Sequence, residues 1–145
     1  TNPDQWTKLR ANRKLMKNAI EEIVRLNTPI RAFTRYVAQE VKVADVAIKK
    51  DTRVLVVYGA ANRDPRKFPN PDAFDIERNT GGHVGFSQGV HACLGMNLAR
   101  LEMDCLFNAL ADRVERFDLA GPVESGVNST IHSLSRVPVN AIASS

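Results

Sequence analysis

The stretch Phe86-Ser87-Gln88-Gly89-Val90-His91-Ala92-Cys93-Leu94-Gly95 holds the residues best suited to do chemistry in this 145-residue chain. It is a glycine-punctuated loop that ends in a cysteine and runs straight into a helical pattern. The pattern places Cys93 in the first turn of that helix. There the unpaired N–H groups and the positive end of the helix dipole favour an anion. A thiol in such a place ionises more readily than a free one. Its thiolate could be a nucleophile, a redox sensor or a metal ligand, and the neighbouring residues choose between these.

Gly89 permits a positive φ in the turn before the sulfur. Gly95 removes a side chain close to the sulfur, so that a flat, bulky group can approach. Phe86 can lay its ring over the loop and keep water off. A nucleophilic cysteine needs a base beside it and access for substrate. This loop instead shields the sulfur and sets its direction. Such an arrangement suits a thiolate on haem iron, with backbone N–H groups tuning its electron density.

The elements that must position this loop follow from the apolar periodicity. Residues 4–16 read as the end of one helix, with Trp6, Leu9 and Leu15 on its apolar side. Asn18 reads as the N-cap of a second helix, with Glu21 three residues on as in a capping box. Ile20, Ile23 and Val24 form its buried stripe, and Pro29 stops it. On this helix Glu22 and Arg25 share a face. Taken alone they would be a surface ion pair contributing well under about 1 kcal/mol.

Phe33–Val37, Val41–Val43 and Val46–Ile48 read as short strands, with a turn at Ala44-Asp45. The apolar run from Thr52 to Tyr58 reads as a central strand. Turn chemistry then dominates a long loop from Asn62-Arg63-Asp64-Pro65 to Gly81-Gly82. The helix at 95–115 carries Leu94, Leu98, Leu101, Cys105 and Ala109 on one apolar face, which makes Cys105 a small core residue. Strands around Phe117–Leu119, Ile131–Leu134 and Val137–Ile142, with a Gly/Asn/Ser-rich hairpin, close the chain.

Phe-x-x-Gly-x-x-x-Cys-x-Gly resembles the haem-thiolate signature of the cytochrome P450 monooxygenases. From average composition those fixed residue types would meet by chance in roughly a few chains per ten thousand of this length, so the resemblance is specific. Bacterial members often carry Gly where this chain has Ser87. Glu22-x-x-Arg25 matches a second family motif, Arg78 its third partner, and Ala61-Asn62-Arg63-Asp64-Pro65 also resembles bacterial members. The resemblance implies an α+β fold, mainly α with small β-sheets, corresponding to the C-terminal portion of the cytochrome P450 fold. On this reading residues 1–145 are an incomplete, haem-binding part, and the oxygen-activating helix lies before residue 1.

By the same resemblance, haem b (iron protoporphyrin IX) is the cofactor and Cys93 its axial iron ligand. Phe86, Gly89, His91, Gly95 and Arg35 become haem-binding residues, with His91 and Arg35 on the propionates. Glu22, Arg25 and Arg78 become a buried network that holds the cysteine loop. Ile30, Ala32, Phe33, Ile131 and His132 become the substrate wall, and Arg100 a residue of the redox-partner face. The implied partners are O2 and a ferredoxin or a flavin or iron–sulfur reductase. His83-Val84-Gly85-Phe86 and Asn128-Ser129-Thr130-Ile131 resemble bacterial members that oxidise para-substituted benzoates and methoxyphenols. A small aromatic substrate, hydroxylated or O-demethylated, is therefore expected. The alternatives are a member acting on terpenes or steroids, an inactive haem-binding fragment and a thiol enzyme without haem. The isolated 145 residues are expected not to turn over.

Composition agrees with a soluble globular domain: 43% hydrophobic and 25% charged residues. No apolar run approaches a membrane span. Net charge is +4, concentrated in residues 1–50, where eleven Lys and Arg face five Asp and Glu. Those cations are scattered through amphipathic patterns with no nucleic-acid motif, which argues against a nucleic-acid partner. Two cysteines make no disulfide framework. On one helix Cys93 and Cys105 would lie about 18 Å apart, too far to bridge. A cytoplasmic location is expected. His83 and His132 lack partners at zinc-ligand spacing.

Overall fold

The computed structural model describes residues 2–128 and 130–144. Ser129, in the stretch compared above with aromatic-oxidising relatives, lies outside the described residues, as does Thr1. Helix α1 (Pro3–Ala11) begins on a proline, whose missing N–H is no loss in a first turn. Asn12 then turns extended and its side chain accepts from the Lys14 N–H at 3.2 Å. This breaks the helix expected to run to residue 16. A 3-10 turn at Arg13–Leu15 leads into α2 (Met16–Asn27). Asn18 therefore stands inside α2 and is not its cap. Its amide instead donates to the carbonyls of Ile76 at 2.6 Å and Arg78 at 2.9 Å. The irregular segment that carries Arg78 needs partners for its backbone, and a side chain supplies them.

The core sits where α1, α2 and the loop at 74–76 meet. Leu9, Met16, Ala19, Ile20 and Ile76 are buried together, and Trp6, Leu15, Phe74, Met103 and Phe107 pack against them. Helix α2 ends at Thr28, whose φ of 40° is left-handed and whose N–H returns to the Val24 carbonyl at 2.9 Å.

Strand β1 (Ala32–Tyr36) pairs antiparallel with β4 (Arg53–Val57), setting Phe33 opposite Val56 and Arg35 opposite Val54. Between them β2 (Val41–Val43) and β3 (Val46–Ile48) form a hairpin around Ala44 and Asp45. The central position expected for β4 is not found. Among the described residues β1 is its one partner, and Leu55, Val56 and Val57 are exposed. A short α3 (Tyr58–Ala61) follows, and residues 62–88 hold turns but no regular element.

Helix α4 (Met96–Arg113) begins three residues after Cys93. It is apolar on two sides. Met103, Phe107 and Ala111 turn to the core, and the expected face of Leu94, Leu98, Leu101, Cys105 and Ala109 is exposed on the other side. Cys105 is thus exposed in this chain and lies outside its core. An apolar stripe by itself does not say which of two such stripes a helix buries. Strand β5 (Val114–Leu119) pairs with β8 (Val139–Ala143), and β6 (Glu124–Ser125) with β7 (Leu134–Arg136). Ile131, expected in a strand, makes a lone bridge with Ile30. Among the described residues no helix is long and apolar enough to cross a membrane.

Candidate functional site

The structure brings Glu22, Arg25 and Arg78 together. Glu22 and Arg25 are fully buried, which the isolated surface-pair reading excludes. Arg25 grips the carboxylate with Nε at 2.6 Å and Nη2 at 2.8 Å, and Arg78 Nε adds a third contact at 3.0 Å. The fork of the Arg25 guanidinium suits this bidentate use. The remaining donors bind loop carbonyls. Arg25 Nη1 reaches Asn62 at 2.7 Å and Pro71 at 2.9 Å, and Arg78 Nη2 reaches Asn70 at 2.9 Å and Ala73 at 3.1 Å. The loop at 62–78 is therefore folded around two arginines. Phe68 lies under Arg25, 5.2 Å from ring centroid to Cζ.

Asn62 passes this frame on to the cysteine loop. It is fully buried, its amide donates to Thr28 Oγ1 at 2.8 Å, and its Oδ1 accepts from the Val84 N–H at 2.7 Å. Next to it, a Cβ on Gly85 would lie 2.6 Å from Val24 Cγ1, so only glycine lets the loop touch α2 here. The Cys93 N–H then donates to the Phe86 carbonyl at 2.8 Å, closing the loop on itself. Cys93 does not stand in the first turn of α4. Its carbonyl accepts from Met96 at 3.2 Å, one turn ahead of the helix.

Two residues of the loop are left-handed. Gly89 has φ 63°, as its role in the turn requires, and Ser87 has φ 59°. A non-glycine residue there costs on the order of 1–2 kcal/mol. Ser87 Oγ keeps one 3.3 Å hydrogen bond to Tyr58 Oη, a partial compensation. Ser87→Gly is expected to stabilise the protein by about 1 kcal/mol. Gly89→Ala, with nothing within 4 Å of the new methyl, is expected to destabilise it by a similar amount through backbone strain alone. Thermal melting of both variants checks this; equal shifts in one direction would refute it.

Phe86 is flanked by Arg100 and His83. The Arg100 Cζ lies 4.9 Å from its ring centroid and the His83 ring 6.3 Å away. Arg100 is held there by Glu21, with Nε at 2.6 Å and Nη2 at 2.9 Å. His83 Nδ1 accepts from the Gly85 N–H at 3.1 Å, which places the ring proton on Nε2, 2.8 Å from Glu21 Oε2. Burial pushes the Glu21 carboxyl up, but the hydrogen bonds from Arg100 and His83 outweigh it and hold it below its ordinary range. Arg100, expected on a docking face, is thus committed within the molecule, with 36% of its side chain exposed.

Arg35 lies half-buried on β1. Its Nη2 donates to Tyr58 Oη at 3.2 Å, the same oxygen that Ser87 meets, so Tyr58 joins Arg35 to the cysteine loop. His91 is exposed in the 3-10 turn Gly89–His91. Of the expected substrate wall, Ala32, Phe33, Ile131 and His132 line one cavity of about 440 Å³. Ile30 contributes its backbone bridge to Ile131, and the His132 N–H donates to the Pro29 carbonyl at 2.7 Å. Among the described residues no group of three or more His, Cys, Asp or Glu is placed to hold a metal ion.

The residues around Cys93 fit a flat apolar ligand with an iron atom. The thiol is exposed, Val90 and Leu94 beside it are almost wholly exposed, and a Cβ built on Gly89 or Gly95 meets nothing within 4 Å. Residues 4–142 match the cytochrome P450 family. Over 137 residues the chain is 42% identical to Cytochrome p450 CYP199A2 of Rhodopseudomonas palustris, covering 94% of this chain and 33% of that protein. It is 47% identical over 113 residues to the Steroid C26-monooxygenase of Rhodococcus jostii, covering 77% of this chain and 24% of that one. The crystal structure of CYP108D1 from Novosphingobium aromaticivorans superposes with a TM-score of 0.92 at 34% identity, over 98% of this chain and 34% of that chain.

The chain belongs to the cytochrome P450 family, whose cofactor is haem. It spans about a quarter to a third of the length of the curated relatives it matches.

Sequence reasoning missed Glu21, Asn62, Tyr58 and Gly85 as parts of the site. Asn62 was within reach, since an asparagine opening a turn-rich loop is a side chain that can satisfy backbone groups. Glu21 was masked by its reading as a capping-box partner. The tie from Tyr58 to Ser87 has no local signal, because it spans 29 residues.

Proposed function

We propose that the chain is the C-terminal, haem-binding part of a longer monooxygenase that hydroxylates or O-demethylates a small aromatic substrate. What supports this above all is the exposed Cys93, backed by a loop whose frame is the buried Glu22–Arg25–Arg78 network. Bound there, haem would supply the oxygen chemistry: with O2, two electrons and two protons, one oxygen atom enters the substrate and the other leaves as water, and a thiolate ligand favours O–O cleavage. The chain's own residues do the rest. Cys93 would hold the iron, and Arg35 and His91 would meet the propionates with donors. Phe86 would cover the loop that carries the sulfur. The oxygen-activating helix would precede residue 1, so the 145 residues alone would not turn over. The exposed apolar faces of α4 and β4 are suited to covering by such a remainder. Electrons would come from a ferredoxin or a flavin or iron–sulfur reductase, with the outer edge of Arg100 among the contacts.

The aromatic reading rests on Phe33. The residue is 42% exposed and lines the 440 Å³ cavity, and its ring stands edge-on to Tyr58 at 6.4 Å. The test is a spin-state titration of the haem-loaded enzyme with 4-methoxybenzoate, guaiacol and a monoterpene. The two aromatics are expected to bind. Phe33→Ala is expected to weaken both several-fold, the equivalent of about 1 kcal/mol of aromatic contact. Binding of the terpene alone would discard the aromatic assignment.

A further inference from the structure

The cavity beside Phe33 carries a cation that the reading above leaves idle. Arg31 lines it together with Phe33, Leu55, Ile131, His132 and Asn128. Arg25, Arg63, Arg78 and Arg100 all have carboxylate partners. Among the described residues Arg31 has no ion-pair partner and donates no side-chain hydrogen bond. Its backbone is nonetheless fixed. The Arg31 carbonyl accepts from the Gly59 N–H at 3.1 Å, and a Cβ on Gly59 would meet the start of the Arg31 side chain in ordinary contact, 3.9 Å from Cγ. Arg31 thus stands at a fixed backbone position next to the bridge between Ile30 and Ile131.

The other polar groups of this wall also favour an anion. Asn128 spends its Oδ1 on the N–H groups of Thr130 and Ile131, both at 2.8 Å, which leaves its NH2 as the donor it can offer. His132 adds a ring nitrogen that can donate as well. The described lining contains no Asp or Glu to neutralise Arg31. A lining that combines an unneutralised arginine with an aromatic residue and aliphatic ones matches a molecule with an apolar body and a carboxylate. The cavity volume is that of a small-ligand site.

We infer that Arg31 is a specificity residue that binds a carboxylate of the substrate through its guanidinium fork. This rests on the cavity being the substrate pocket of the proposed monooxygenase. It does not depend on whether the apolar body is aromatic.

The experiment titrates haem-loaded wild type, Arg31→Gln and Arg31→Lys with 4-methoxybenzoate, its neutral isostere 4-methoxybenzamide, and dodecanoate, reading the haem spin state. Arg31→Gln is expected to weaken carboxylate binding about 10- to 100-fold, as for loss of a charge-assisted pair. The amide is expected to stay within about twofold, and Arg31→Lys to restore part of the acid affinity, because it returns the charge without the fork. Dodecanoate binding that depends on Arg31, with no benzoate binding, would keep this inference and remove the aromatic one. Benzoate binding indifferent to Arg31 would do the reverse. Equal weakening of acid and amide overturns the inference, as does loss of haem with the acid-to-amide ratio unchanged, or failure of every carboxylate to bind.

Discussion

Glu22→Ala is expected to yield protein that neither folds fully nor retains haem. The carboxylate is fully buried and is shared by Arg25 and Arg78. It also accepts from the Asp75 N–H at 3.2 Å. Its removal strands two guanidiniums in a dry site, at a cost of roughly 3–5 kcal/mol. That is a large share of the about 5–15 kcal/mol by which a domain is stable. The damage is not confined to α2. The carbonyls of Asn62, Pro71 and Ala73 are held by Arg25, and Asn62 in turn holds the backbone of Val84. Thermal melting and haem content of the purified variant check this. An exposed pair such as Lys42 and Asp45, 3.9 Å apart, serves as control, because breaking it is expected to change stability by less than about 1 kcal/mol. A Glu22→Ala protein with normal melting and normal haem would return the network to a minor role.

Cys93→Ser is expected to behave in the opposite way: the fold survives and the thiolate signature vanishes. The side chain is exposed, so the exchange of sulfur for oxygen removes little packing. The Cys93 N–H bond to Phe86 is made by the backbone and remains. A serine hydroxyl is not the soft, electron-rich ligand that a thiolate is. The reduced, carbon monoxide-treated protein is therefore expected to lose its red-shifted thiolate band entirely, with the melting temperature almost unchanged. Cys105→Ser, at an exposed position within α4, is expected to keep the band. A band that survives in Cys93→Ser and disappears in Cys105→Ser would overturn the ligand assignment.

These two variants separate what holds the loop from what the loop presents, and the sequence spoke unequally about them. The chemistry-bearing residues were legible because each is tied to a short spacing. The loop from Phe86 to Gly95 and the pair Glu22-x-x-Arg25 are local patterns, and the positive φ of Gly89 follows from its place in a tight turn. The short strands Val41–Val43 and Val46–Ile48 were read to the residue, since alternation and a two-residue turn are also local.

Tertiary structure decided everything that depends on which surface meets which. The sequence showed an apolar stripe on α4, but packing against Leu9, Met16 and Ile20 chose the other side, through Met103 and Phe107. Asn18 looked like a cap until the carbonyls of Ile76 and Arg78 claimed its amide across 58 and 60 residues. An ion pair three residues apart on a helix reads the same whether wet or dry. Only the loop wrapped over Arg25 and Arg78 made it a buried frame. Local spacing determines which groups a chain can offer; burial, and with it the strength of every charge and hydrogen bond, is set by segments distant in sequence.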